Sequence, residues 1–112
     1  MNESFLDLIG ATRAQTGQLR LTVTDQLLNA NGVMHGGVSA TLLDTVAGFG
    51  ARPNLPAGAM MSTIQLSVTF VAPVNVGDVI VATSDVLHVS VRHVLATATL
   101  VGTAVQNRGV TD

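Results

Sequence analysis

The chain has 112 residues, enough for one domain with one core, and 47% of them are hydrophobic against only 11% charged. Seven acidic residues face five arginines and no lysine, and Arg13, Arg20, Arg52, Arg92 and Arg108 are scattered singly, so no sequence-local basic stripe exists to follow a nucleic-acid backbone. The absence of cysteine excludes disulfides, a thiolate nucleophile and a cysteine-ligated metal, while so few charges predict an oligomer that covers apolar surface.

In chain order, the start carries acids where a secretory signal needs basic residues, and nothing approaches a membrane-spanning apolar run, which predicts a cytoplasmic protein. Residues 4–10 read as a short helix with Phe5, Leu8 and Ile9 on one side, limited by Gly10. Residues 18–24 alternate polar and apolar side chains, as a strand with Leu19, Leu21 and Val23 inward requires. Residues 25–37 form a long connection whose glycines at 32, 36 and 37 permit sharp turns or close approach of another group. Val38 to about Gly50 is the one long helix, apolar on nearly every side and so expected to be enclosed.

Pro53, Asn54, Pro56 and Gly58 end that helix in a loop. Met60 to Val71 then alternates Ile64, Leu66, Val68 and Phe70 with Gln65, Ser67 and Thr69, a strand pattern. A turn at Asn75-Val76-Gly77-Asp78 leads to a strand over 79–89 and another over 91–101. In the latter, Val94, Ala96, Ala98 and Leu100 share one face and His93, Leu95, Thr97, Thr99 and Val101 the other, so the sheet is expected to meet a helix on one side and another subunit on the other. The tail, 102–112, reads as a short edge strand. One helix followed by tightly connected strands predicts a single α+β domain over 1–112, with an antiparallel sheet wrapping the helix.

Asp44 is the anomaly in this pattern. It interrupts the otherwise uncharged run from Gly36 to Phe49, and a carboxylate there must be solvated, paired or hydrogen-bonded. The glycine-rich approach, Asn29 to Gly37, leaves backbone N–H groups free at a helix start, where the aligned peptide dipoles favour negative charge. A carboxylate and an N–H-rich turn together outline a hydrolytic site. The bland reading of Asp44 is a hydrogen bond to Thr41 or Thr45 at a helix distortion; that of Gly36 is turn geometry alone.

Asn29-Ala30-Asn31-Gly32-Val33-Met34-His35-Gly36-Gly37, Asp44 eight residues beyond Gly36, the stretch Thr63 to Phe70 leading to Pro73, and the Val76-Gly77-Asp78 turn resemble the hotdog-fold thioesterases, specifically the PaaI-like and THEM2-like branch. The resemblance covers roughly residues 17–101. It implies a hotdog fold, a curved antiparallel sheet wrapped around one central helix, with two subunits pairing so that active sites lie across their interface, and dimers pairing into a tetramer. It implies hydrolysis of acyl-CoA thioesters, with aryl-acetyl or other small acyl groups as first candidates. Two departures stand out: Val89-Ser90-Val91-Arg92 lies where a glycine-containing turn is common, and the final strand is short.

Carried over by position, the resemblance implies that His35 and Gly36 sit at the thioester-binding helix start, that Asn29 is the amide preceding them, and that Asp44 is the carboxylate supplied to the other subunit's site. Thr63 is implied as a hydroxyl on the following strand, with Ser62 its rival on the opposite face, as Asn31 is a rival to Asn29. Asp44 either attacks the carbonyl or accepts a proton from water. His35 is expected to fix the turn and contribute hydrogen bonds near the thioester rather than serve as sole general base, the bland reading being an ordinary turn histidine. His35, His88 and His93 make no zinc signature, so no metal is expected. Coenzyme A is a substrate moiety rather than a retained cofactor, and Arg52 and Arg92 are the candidates to hold its phosphates. The competing functions are hydration or dehydration of an acyl thioester, and a non-catalytic acyl-CoA-binding or structural role.

Overall fold

A computed structural model describes residues 4–103. Its first helix, α1 (Ser4–Ile9), has six residues, too few for stability without tertiary support. Leu6 is buried and Ile9 packs on the same core, whereas Phe5 and Leu8 are exposed, which corrects the expected inner face. The helix end explains the difference. Gly10 N–H donates to Asp7 O and Ala11 N–H to Leu6 O, with Gly10 at φ 85°, a Schellman closure that ties Leu6 and Ala11 into the core and leaves Phe5 outside.

Strands β1 (Thr12–Arg13) and β2 (Leu19–Thr22) follow. Leu19, Leu21 and Val23 point inward as their alternation predicts. Helix α2 (Gly36–Ala51) begins two residues before the expected start and buries Val38, Leu42 and Val46, four residues apart along one stripe. The opposite side, including Leu43, Asp44 and Ala47, is only half-buried, so α2 lies on the sheet without being enclosed by this subunit.

Strands β3 (Val79–Val89) and β4 (Val94–Thr103) complete an antiparallel sheet of order β1-β2-β3-β4. Ile80 and Ala82 from β3 and the partly buried Ala98 and Leu100 from β4 face α2, while Leu95 and Val101 on the other parity of β4 are exposed. β2 reaches only Val79–Ala82, so β3 from Thr83 onward pairs with β4 alone, through a bulge between Val86 and His88. Helix and sheet are in close contact at Gly50: Ser84 Oγ donates to Val46 O at 2.8 Å, and a Cβ on Gly50 would lie 2.6 Å from Ser84 Oγ.

The strand expected over 60–71 is not formed. These residues make no backbone hydrogen bonds to other segments and lie outside the four-stranded sheet, with Met60, Ile64, Phe70 and Val71 exposed. An alternating pattern needs a neighbouring strand to become a ladder, and none of the described residues supplies one here. Of the edge strand expected over 102–112, Gly102 and Thr103 close β4 and the remainder lies outside the described residues.

Candidate active site

The site is built around the start of α2. The loop before it is closed by Asn29, whose backbone N–H donates to Val33 O at 2.8 Å and whose Oδ1 accepts from Asn31 N–H at 2.9 Å and from Val33 N–H at 3.3 Å. The side-chain carbonyl is thus committed to the turn, leaving the Nδ2 amide as a donor. His35 is the N-cap: its Nδ1 accepts from Gly37 N–H at 2.8 Å, and its own N–H donates to Leu27 O. An Nδ1 that accepts this bond places the proton of the neutral ring on Nε2, so the exposed imidazole offers a donor and its cap nitrogen is unavailable as a base.

Between them, Gly36 N–H has no acceptor among the described residues, as befits the first residue of a helix. Gly36 does not have positive φ, so turn flexibility is not what calls for glycine there. A Cβ at this position would instead lie 3.0 and 3.1 Å from atoms of the Phe70 ring. The missing side chain lets the ring and the free N–H share one corner of the surface, and the helix field acts at the same point.

Asp44 lies two turns further along α2. Thr63 Oγ1 donates to Asp44 Oδ1 at 2.6 Å, a charge-assisted bond that holds the carboxylate, while Oδ2 has no partner among the described residues. The Thr41 hydroxyl donates instead to Gly37 O and the Thr45 hydroxyl to Thr41 O, so neither serves Asp44, contrary to the bland reading. Of the two rivals, Thr63 and not Ser62 reaches the carboxylate. Residues 61–70 run back along α2, with Met61 beside Gly48, Thr63 at Asp44 and Phe70 at Gly36. A cavity of about 370 Å³ opens at Asp44, lined by Phe5, Ala40, Thr41, Asp44, Thr45 and Leu66.

His35 and Gly36 therefore stand at the start of α2, with Asn29 closing the loop that leads to them, and Asp44 with Thr63 at another point. Eight residues of helix separate Gly36 from Asp44 by about 12 Å, too far for both to touch one carbonyl within a subunit. Arg52 caps the far end of α2, about 24 Å from Gly36 along the axis, and Arg92 is exposed in the β3–β4 turn, so neither joins these groups within the chain. Sequence reasoning missed Phe5, Leu66 and Phe70 as site neighbours. The sparse aromatic content was the available signal, since the three phenylalanines all meet α2 or its cavity, Phe49 lying on α2 itself beneath the Arg13 guanidinium at 4.1 Å. No cluster of three His, Asp or Glu positioned for a metal occurs among the described residues. No helix among them is long and apolar enough to cross a membrane.

The thioesterase superfamily profile matches residues 31–101, from the loop before α2 through most of β4. The chain belongs to the thioesterase superfamily. It is 37% identical over 90 residues to a candidate esterase of Halobacterium salinarum, covering 74% of this chain and 58% of that protein. It is 31% identical over 87 residues to human acyl-coenzyme A thioesterase 13, covering 76% of this chain and 61% of that one. The chain thus spans about three-fifths of the length of these relatives. Among solved structures, the Bacillus halodurans BH2602 protein with CoA superposes with a TM-score of 0.77 at 25% identity, over 88% of this chain and 68% of that one. Escherichia coli PaaI, from the phenylacetic acid degradation operon, shares the fold with a TM-score of 0.69 at 20% identity, over 94% and 86%. The hotdog architecture expected from the motif is thereby shown, as an open four-stranded sheet over one long helix.

Proposed function

We propose that this superfamily member hydrolyses acyl-CoA thioesters to a free acid and coenzyme A, in sites shared by two subunits. The observation that carries the reading is the unsatisfied Gly36 N–H at the start of α2, paired with an Asp44 that is held by Thr63 yet about 12 Å away on the same helix. That separation favours an arrangement in which Gly36 of one subunit faces Asp44 of the partner subunit. The exposed, unpaired 60–71 segment supports the same pairing, because two copies can meet there antiparallel about a two-fold axis. The apolar surface left by the low charge content is then covered, with the dimer of dimers as the fuller assembly.

In this reading the thioester oxygen accepts from Gly36 N–H, with the His35 Nε2–H and the Asn29 amide as neighbouring donors. As the acyl carbon is attacked, negative charge grows on that oxygen and the fixed N–H with its helix field stabilises it without rearrangement. Oδ2 of Asp44 takes a proton from water while the water oxygen bonds to the acyl carbon, or attacks that carbon itself to form an anhydride that water then opens. Collapse of the tetrahedral intermediate breaks the C–S bond, and the coenzyme A thiolate leaves and is protonated. Arg52 and Arg92, remote within one subunit, are assigned to the nucleotide phosphates of a substrate that spans subunits. Small acyl groups, aryl-acetyl among them, are the substrates to try first, and a CoA-bound structural neighbour supports CoA as the carrier.

The test is Asp44→Asn, which retains the Thr63 hydrogen bond but removes the ionised oxygen. Thiol release from an acyl-CoA panel is expected to fall roughly 100-fold or more with assembly intact. Turnover close to the native rate overturns the assignment. Following double-bond absorbance of unsaturated acyl-CoAs in parallel separates hydration from hydrolysis.

A further inference from the structure

The cavity beside Asp44 has features that hydrolysis alone does not require. Its floor is α2, where Ala40, Thr41, Asp44 and Thr45 lie on one face. Because the Thr41 and Thr45 hydroxyls donate to carbonyls one turn back, at 2.8 and 2.7 Å, these side chains offer the cavity mainly their methyl groups. Phe5 and Leu66 form the remaining apolar lining, from opposite directions in the chain. The result is an open slot, lined about equally by polar and apolar surface, whose only charged lining residue among those described is Asp44.

Phe5 is 57% exposed and Leu66 44%, although both are large and apolar. Neither belongs to the core cluster: α1 is anchored by Leu6 and Ile9, and residues 60–71 are anchored by no sheet. Packing within this subunit therefore does not explain them. At about 370 Å³ the cavity lies near the lower end of the range of about 300–1,000 Å³ typical of small-molecule sites.

We propose that Phe5 and Leu66 are specificity-determining walls of an acyl pocket, with Phe5 limiting the size of the acyl group whose carbonyl end is presented to Asp44. The proposal rests on the hydrolytic reading in placing the thioester beside Asp44. It adds that α1, through an exposed aromatic ring, selects the acyl group. A small apolar acyl chain, aliphatic or carrying one ring, fills the slot, and a long chain meets the Phe5 ring. Burial of each further methylene then counts only while there is room for it.

The experiment uses the full chain with Phe5→Ala, Phe5→Trp and Leu66→Ala. Hydrolysis of butanoyl-, phenylacetyl- and decanoyl-CoA is measured beside binding of the matching S-alkyl-CoA thioethers, which cannot be hydrolysed. Phe5→Ala is expected to move the decanoyl-to-butanoyl ratio of kcat/KM upward by at least about tenfold, the lower end of what even one methylene contributes in an apolar pocket. Phe5→Trp should move it the other way, and Leu66→Ala should follow Phe5→Ala; thioether affinities should shift in the same sense. A structural role alone lowers all substrates together. Ratios unchanged in all three variants, with hydrolysis retained, overturn the pocket assignment and leave the hydrolytic reading standing. Thioether preferences that shift as expected in a protein that hydrolyses no thioester support the pocket and overturn the hydrolytic reading. Failure of every thioether to bind overturns both.

Discussion

Gly36 offers a substitution pair that separates its N–H from its missing side chain. Gly36→Ala and Gly36→Pro both add a Cβ where the Phe70 ring lies 3.0 Å away, but only proline deletes the N–H. Proline suits the first helical position, and His35 before it already has φ −61° and ψ 135°, the extended conformation a residue preceding proline requires. The Phe70 ring is 63% exposed, so it can swing aside, at about 1 kcal/mol for an off-rotamer side chain. In the alanine variant, this cost is offset by about 0.4–1 kcal/mol from the smaller conformational freedom of the unfolded chain. Thermal melting of Gly36→Ala should thus stay within a few degrees of the native protein. If the N–H holds the developing oxyanion, kcat of Gly36→Pro should fall roughly 100- to 1,000-fold below that of Gly36→Ala, about 2.7–4 kcal/mol of transition-state stabilisation. Thiol release at saturating acyl-CoA, on samples with matched circular dichroism and assembly state, measures the difference. Equal kcat in the two variants refutes the oxyanion role.

Thr63→Val should reduce kcat by about tenfold by releasing Asp44, with Thr63→Ser restoring most of it; a valine variant at the native rate would remove Thr63 from the site. Gly50→Ala should destabilise the fold by about 1–3 kcal/mol through its collision with Ser84 Oγ. Ser84→Ala alone should cost about 1 kcal/mol for the lost bond to Val46 O, yet the double variant should be more stable than Gly50→Ala, and chemical denaturation of all four proteins checks the sign. Ile64→Asp places a charge on the exposed 60–71 segment and should shift light-scattering mass toward the monomer and abolish shared-site activity together; an unchanged mass would mean that subunits meet elsewhere.

The residues alone made α2 and β2 legible, α2 by its long, largely apolar run and β2 because alternation repeats every two residues, whereas which parity of β4 faces the helix was decided by the fold. The helix start at His35-Gly36 was legible only through the family resemblance, since the apolar pattern begins at Val38 and the cap is a contact between the His35 side chain and Gly37 N–H. Asp44 stood out because a carboxylate in an uncharged run must find compensation. The identity of that compensation was not legible, since Thr63 is 19 residues away while Thr41 and Thr45 are neighbours that spend their hydroxyls on the helix backbone. The inner face of α1 was misread because six residues hold too little periodicity to outweigh a Schellman closure that turns Leu6 inward. Residues 60–71 carry a strand's alternation without a strand's ladder, for alternation is written in one segment and hydrogen bonding needs two. Tertiary structure alone decided what packs against Gly36, which wall Phe5 forms, and how far apart Gly36 and Asp44 stand, because each depends on where distant segments of the chain meet in space.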